Sequence, residues 1–235
     1  MKPDISLVMA VYNGEEDLAR STSSILDQTF ENFELILVND GSVDQSGQVS
    51  EELGKKDPRI KIFHQTNKGL TQALIRGCTE SSAPYIARQD NGDISYPDRL
   101  AKQFELLESN STLSFTSCLY ETVGPGGEVL GDPGPKDGGK AIIKNLKSTT
   151  PKEMKGPHHG SVMFRRNAYE KVGGYRAEFY FAQDLDLWSR LIEVGDLAFV
   201  DEILYQVAFT PGSITARYRQ QQLQLRDLIR EATVR

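Results

Sequence analysis

Between Ile5 and Ser109 short apolar runs alternate with amphipathic segments, and this rhythm limits what the chain can fold into more than any other feature. Ile5–Tyr12 and Phe33–Asn39 are continuous apolar runs, the pattern of strands buried on both faces. Arg59–His64 and Tyr85–Gln89 read as two further strands. Between them, Glu16–Asp27, Asp44–Lys56 and Leu70–Cys78 carry helical spacing. Pro97–Ser109 follows, with Leu100, Phe104 and Leu107 on one face and Pro97 expected in the first turn. Strand alternating with helix predicts a mostly parallel sheet wrapped by right-handed crossovers.

After Ser109 the rhythm breaks. Leu113–Thr122, Glu128–Leu130, Ser161–Phe164, Leu197–Val200 and Ile203–Ala208 read as strands. Asn167–Val172, Asp184–Val194 and Arg217–Thr233 read as helices. Gly131–Lys140, rich in Gly and Pro, reads as a mobile loop. The expected organisation is a ligand-binding half over 1–110, a more irregular half over 111–216 and a closing helix over 217–235, together one compact domain.

Ligands of open parallel sheets bind beyond the carboxyl ends of the strands. Those ends are Val11-Tyr12-Asn13-Gly14, Asn39-Asp40-Gly41-Ser42 with Asp44, Gln65-Thr66-Asn67-Lys68-Gly69, and Arg88-Gln89-Asp90-Asn91-Gly92-Asp93. Each has a plain alternative. Ser42 or Asp44 can cap a helix, Asn13-Gly14 can be a turn, and Asn91-Gly92 is a hairpin signal, although a helix follows it. Their alignment along one edge favours a single ligand lying across all of them. The carboxylates of Asp90 and Asp93 suit a hard divalent cation, Mn²⁺ or Mg²⁺, completed by substrate phosphates. No Walker loop and no G-x-G-x-x-G is present, so a phosphate here would be held by metal and scattered donors. In the second half, His158 and His159 precede a strand, and alternation would turn only one of them to the cleft. Asp184 opens a helix and can be simply a dipole-complementing residue. Trp188, with Leu185 and Ile192, has core spacing.

Composition excludes other classes. A formal net charge of −6, without any Lys/Arg block, argues against a nucleic-acid partner. Cys78 and Cys118 form neither a CxxC pair nor a secreted framework and fit a reducing cytosol. The strand at the amino end leaves no room for a signal peptide, and no apolar run reaches the roughly 20 residues that span a bilayer. The expected location is cytoplasmic, with peripheral contact at the inner face of the membrane left open.

Taken in order, the motifs resemble the bacterial family 2 glycosyltransferases, inverting enzymes of the GT-A fold. They are Val8-Met9-Ala10-Val11-Tyr12-Asn13, Leu37-Val38-Asn39-Asp40-Gly41-Ser42-Val43-Asp44, Asn67-Lys68-Gly69-Leu70, Ile86 to Ser95, Ser161 to Arg166, Gly173-Gly174-Tyr175 and Gln183 to Trp188. The resemblance implies an α/β, nucleotide-diphospho-sugar transferase fold. Val11, Tyr12, Asn13 and Ser42, with Asp40, would hold the nucleotide, most often a uridine. Asn67, Lys68 and Arg88 would lie near that pocket. Asp90 would approach the ribose, with Asn91 beside it, and Asp90 or Asp93 would hold the metal. Asp184 would be the general base, with His159 and Gln183 on the side of a glycan or lipid-linked acceptor.

The sequence departs from the family pattern in three places. Gly92 replaces the third residue of the usual Asp-x-Asp-Asp. Gln183 replaces a Glu, which removes a charge that would raise the pKa of Asp184. The Gln-x-x-Arg-Trp motif of processive synthases is missing, so a polymer-extruding synthase is not expected. Two other readings compete. A nucleotidyltransferase is disfavoured by Glu15-Glu16 where a triphosphate would need cations. A degenerate, non-catalytic nucleotide-sugar-binding domain draws support from Gly92 and Gln183.

Overall fold

The computed structural model describes residues 2–130, 135, 137–148, 155–209 and 219–233. One eight-stranded sheet runs through them. It is built from β1 (Ile5–Val11), β2 (Phe33–Asp40), β3 (Ile60–Gln65), β4 (Tyr85–Asp90), β5 (Ile94–Ser95), β6 (Leu113–Val123), β7 (Met163–Arg165) and β8 (Asp196–Ala208). Their order is β3-β2-β1-β4-β7-β6-β8-β5. β3, β2, β1 and β4 are parallel, as the alternation predicts. β7 is antiparallel to both β4 and β6, and β8 runs parallel to β6. The carboxyl ends of β1, β2, β3, β4, β6 and β8 therefore face one rim, and the chain enters β7 from that same rim.

The helices are α1 (Glu15–Leu26), α2 (Ser46–Lys56), α3 (Leu70–Glu80), α4 (Arg99–Ser109), α5 (Lys140–Leu146), α6 (Arg166–Lys171), α7 (Gln183–Val194) and α8 (Arg219–Thr233). Strand period sorts them into two layers. Val8, Ile36, Val38 and Ile86 face a core shared with Leu74 of α3 and with Leu187, Trp188 and Leu191 of α7. Leu7, Met9, Leu35 and Leu37 face a second core with Leu18 and Ile25 of α1 and with Leu100 and Leu107 of α4. Leu225 and Ile229 of α8 join the first core, which docks that helix beside α7. Gly77 lets α3 sit close on the sheet, since a Cβ there would stand 2.4 Å from a Val8 methyl carbon. Trp188 is fully buried and stacks on Phe115, the packing role its spacing predicts.

Several boundaries differ from the sequence reading. Leu197–Val200 and Ile203–Ala208 are one strand, β8, with a register irregularity opposite Cys118–Leu119 that absorbs the polar Asp201-Glu202. Glu128–Leu130 is no strand but a single bridge, Val129 with Val123. Pro97 lies outside α4, whose cap is Asp98. α2 begins at Ser46, because Asp44 turns its carboxylate back onto the Ser46 amide. The two-residue β5 and the helix α5 carry no sequence signal long enough to read. Of the Gly131–Lys140 loop, residues 131–134 and 136 lie outside the described residues, and Lys140 opens α5. Residues 217 and 218 of the closing helix also lie outside. Both cysteines are free and buried. Among the described residues, no helix is long and apolar enough to cross a membrane.

Candidate active site

The rim carries two kinds of polar group. On its β1–β2 side the loops are bound to each other. The Ser42 hydroxyl accepts from the Asn13 amide at 3.0 Å, and the Asn13 side-chain oxygen accepts from the Val43 amide at 2.9 Å. Ser46 accepts from the Gly14 amide, while Asp44 accepts from the amides of Glu15 and Ser46. Asn13 is held at φ 50, a conformation that asparagine tolerates. Asp40 is 2% exposed and turns inward, accepting from Gln65 and from the amides of Lys68 and Gly69. It thereby fixes the loop that presents Asn67 and Lys68, both exposed. Gly41, at φ 69, lets that loop approach, since a Cβ would stand 2.4 Å from the Asn67 nitrogen. Tyr12, just beyond the end of β1, is 54% exposed. Val11 is 2% exposed and packed in the core, so its side chain is not available to a ligand. Only its main chain can line the site.

Further along the rim the charges gather. Arg88 is fully buried at the end of β4, with its guanidinium donating to the carbonyls of Val8 and Gln89 and to the Asp90 carboxylate. It lies beneath the rim and holds Asp90, rather than reaching a ligand. Burial raises the Asp90 carboxyl, but the Arg88 charge holds it below the ordinary value. Asp93 goes the other way, raised by burial and by the neighbouring Asp90 charge. Its oxygens accept from the Tyr205 hydroxyl at 2.9 Å and from the Ala208 amide at 2.9 Å. Asn91 donates to the Gly14 carbonyl, and its buried side-chain oxygen has no partner among the described residues. Gly92 adopts φ 101, a conformation unfavourable to an aspartate, which is the physical correlate of the missing third acid.

The histidines differ from the sequence expectation in their backbone setting. They lie not on a strand but at a tight 3-10 turn, His159–Ser161, ahead of β7. Strand alternation therefore does not apply. His158 brings a ring nitrogen to the two carboxylates: single ligand atoms of Asp90, Asp93 and His158 all lie within 4.8 Å of one another. The His158 Nδ1 atom is buried without a hydrogen-bond partner among the described residues, and burial lowers the pKa so that the ring stays neutral. A neutral imidazole with an unused buried nitrogen, facing two carboxylates, is a donor set that fits a divalent transition ion such as Mn²⁺. His159 instead bonds the Tyr175 hydroxyl at 2.7 Å and packs edge-on against Trp188, its pKa pushed down to about 3 by burial. It supports the site from below.

Asp184 sits in the first turn of α7, half-buried, and Gln183 is buried beside it. The residue before them, Ala182, is held at φ 56, and this left-handed bend aims the turn. Burial raises the Asp184 carboxyl above its ordinary value, the Asp90 charge adds to that, and Arg226 of α8 opposes it. With Gln183 in place of an acid, Asp184 still lies above the ordinary range. Tyr205 and Arg99, both central here, carry no motif signal, and His158 was read only as one of a pair. Their placement comes from β8, α4 and the 3-10 turn.

Comparison with known proteins follows this geometry. The family model "Glycosyl transferase family 2" matches residues 6–173. EpsE of Bacillus subtilis is 35% identical over 211 residues, covering 87% of this chain and 73% of its own length. An uncharacterized glycosyltransferase of Haemophilus influenzae is 30% identical over 227 residues, covering 94% and 70%. Among solved structures, the mannosyltransferase PcManGT from Pyrobaculum calidifontis, in complex with GDP-Man and Mn²⁺, superposes over 99% of this chain and 65% of its own. The TM-score is 0.77 at 15% identity. S. aureus TarS 1-349 in complex with UDP superposes over 98% of this chain and 70% of its own, with TM-score 0.71 at 16% identity. The chain belongs to glycosyl transferase family 2, and its α/β architecture is that of the GT-A glycosyltransferases.

Proposed function

We propose that the chain transfers a sugar from a nucleotide-diphosphate donor, UDP-linked, to a hydroxyl of a glycan or lipid-linked acceptor, with inversion at the anomeric carbon. The work would belong to cell-surface polysaccharide synthesis in the cytoplasm, at the inner face of the membrane. One observation carries the reading: a carboxylate pair and a neutral imidazole converge at the strand-end rim, within the electrostatic reach of a third carboxylate, the raised Asp184. The UDP- and GDP-Man-bound complexes of structural neighbours support a nucleotide-sugar donor.

In this reading Tyr12 stacks on the base, and the Asn13–Ser42 and Asn67–Lys68 loops line the nucleotide, preformed by their mutual hydrogen bonds. Asp90, Asp93 and His158 hold the cation, Mn²⁺ or Mg²⁺. A cation held there would supply positive charge to offset that of the departing diphosphate. Asp184 accepts the proton of the acceptor hydroxyl as its oxygen attacks, and the raised carboxyl makes it a stronger base than an exposed aspartate. Gln183 and His159 shape the acceptor side. No covalent enzyme intermediate is required.

The test is a transfer assay over a panel of nucleotide sugars, with the anomeric configuration of the product read by NMR. An inverted linkage from a UDP-sugar is the expected result. Retention of configuration, or donor binding with neither transfer nor hydrolysis in Mn²⁺, would overturn the reading. The second of these would establish a non-catalytic binding domain instead.

A further inference from the structure

Tyr205 lies on β8, far along the sequence from the acidic turn, and it is fully buried. Its hydroxyl is engaged on both sides. It accepts from the Asp90 amide at 3.2 Å and donates to Asp93 Oδ2 at 2.9 Å. Its ring lies 5.5 Å from the His158 ring, centroid to centroid. One side chain thus touches all three members of the Asp90–Asp93–His158 cluster.

The surroundings fix Tyr205 in turn. The Arg99 guanidinium lies over its ring at 5.3 Å and donates to the carbonyls of Gly160 and Arg88. Tyr205 pairs with Ser95 across β8 and β5, which locks the acidic turn to the strand. Gly160 supplies the clearance, since a Cβ there would stand 2.0 Å from the Tyr205 oxygen and 3.0 Å from Asp90 Oδ2. Three residues further on, the Ala208 amide binds the other Asp93 oxygen, so the register of β8 sets both contacts. Nothing in the packing of a strand requires a phenol at this place, whereas the cluster engages both hydrogen-bonding capacities of the hydroxyl.

We propose that Tyr205 is a positioning residue for a divalent cation: it sets the spacing of Asp90 and Asp93 through its hydroxyl and the plane of His158 through its ring. This rests on the reading of that cluster as the cation site. Outer groups that orient ligands commonly govern metal affinity by ~10- to 100-fold.

The experiment is a titration of the whole chain with Mn²⁺ alone, with free Mn²⁺ counted by electron paramagnetic resonance, alongside thermal unfolding of the metal-free protein. Tyr205→Phe keeps the ring contacts and removes only the hydroxyl. The folded variant is expected to bind Mn²⁺ ~10- to 100-fold more weakly. A folded Tyr205→Phe with unchanged Mn²⁺ affinity overturns the proposal, since a merely structural phenol would move the unfolding temperature alone. Should Tyr205→Phe fail to fold, Gly160→Ala decides the matter by displacing the hydroxyl: weakened Mn²⁺ binding supports the proposal and wild-type binding refutes it. Asp90→Ala separates the two levels. If it too binds Mn²⁺ like the parent, the cation site itself is wrong. If it loses Mn²⁺ while folded Tyr205→Phe does not, only the role of Tyr205 falls.

Discussion

The two stretches of the rim differ in what their polar groups do. On the β1–β2 side, Asn13, Ser42, Asp44 and Asp40 engage one another and nearby amides, so the loops are set before any ligand arrives. On the β4–β8 side, the groups are crowded and left with capacity: an unpartnered imidazole nitrogen, an unpartnered Asn91 oxygen and two carboxyls displaced in opposite directions. Satisfied hydrogen bonds preorganise a surface, whereas strained electrostatics prepare chemistry. Motif residues on the first side should therefore act mostly through stability and nucleotide affinity, and those on the second through turnover and metal binding.

The contrast can be broken at several points. The largest effect is expected from Asp184→Asn, which should lower kcat by ~10²- to 10⁴-fold, the usual weight of a general base. Donor affinity by calorimetry should stay within about twofold of the parent, and normal turnover would remove Asp184 as the base. Next, His158→Ala should weaken Mn²⁺ binding by ~10-fold or more, whereas His159→Ala should act mainly on stability, through the lost Tyr175 bond and Trp188 contact. Equal effects of the two on Mn²⁺ affinity would contradict their different placement. Smaller again, Asp44→Ala should cost about 1 kcal/mol in denaturant unfolding, through the lost bonds to the Glu15 amide at the α1 start and the Ser46 amide at the α2 start. Its Mn²⁺ affinity should not move.

The smallest effect concerns pH. A base works ionised, and the Asp184 carboxyl is raised, so the acid limb of kcat/KM should lie above that of an ordinary aspartate. Arg226 lowers that pKa, so Arg226→Gln should shift the limb further towards neutral pH, and a shift in the acid direction would break the assignment.

How much could be read beforehand follows the same division. The parallel half was legible, because buried strands leave continuous apolar runs and the strand ends then fall on one edge. That Asp90 and Asp93 come together was legible from their spacing at the end of β4. Val11 and Arg88 were legible only as neighbours. Their side chains lie in the core, because a strand places successive residues on opposite faces and both faces here are covered. Which of His158 and His159 meets the carboxylates was not legible, because a 3-10 turn, not a strand, presents them. Tyr205 was invisible, since its role depends on β8 pairing with the two-residue β5, a contact between segments distant in sequence.

The central claim is that a nucleotide diphosphate and a cation bind together at this rim. Calorimetric titration with UDP, in Mn²⁺ and in excess chelator, tests it most directly. The account predicts binding that depends on Mn²⁺ and disappears in Asp90→Ala. Equal UDP affinity in chelator, or an unaltered isotherm for that variant in Mn²⁺, would contradict it.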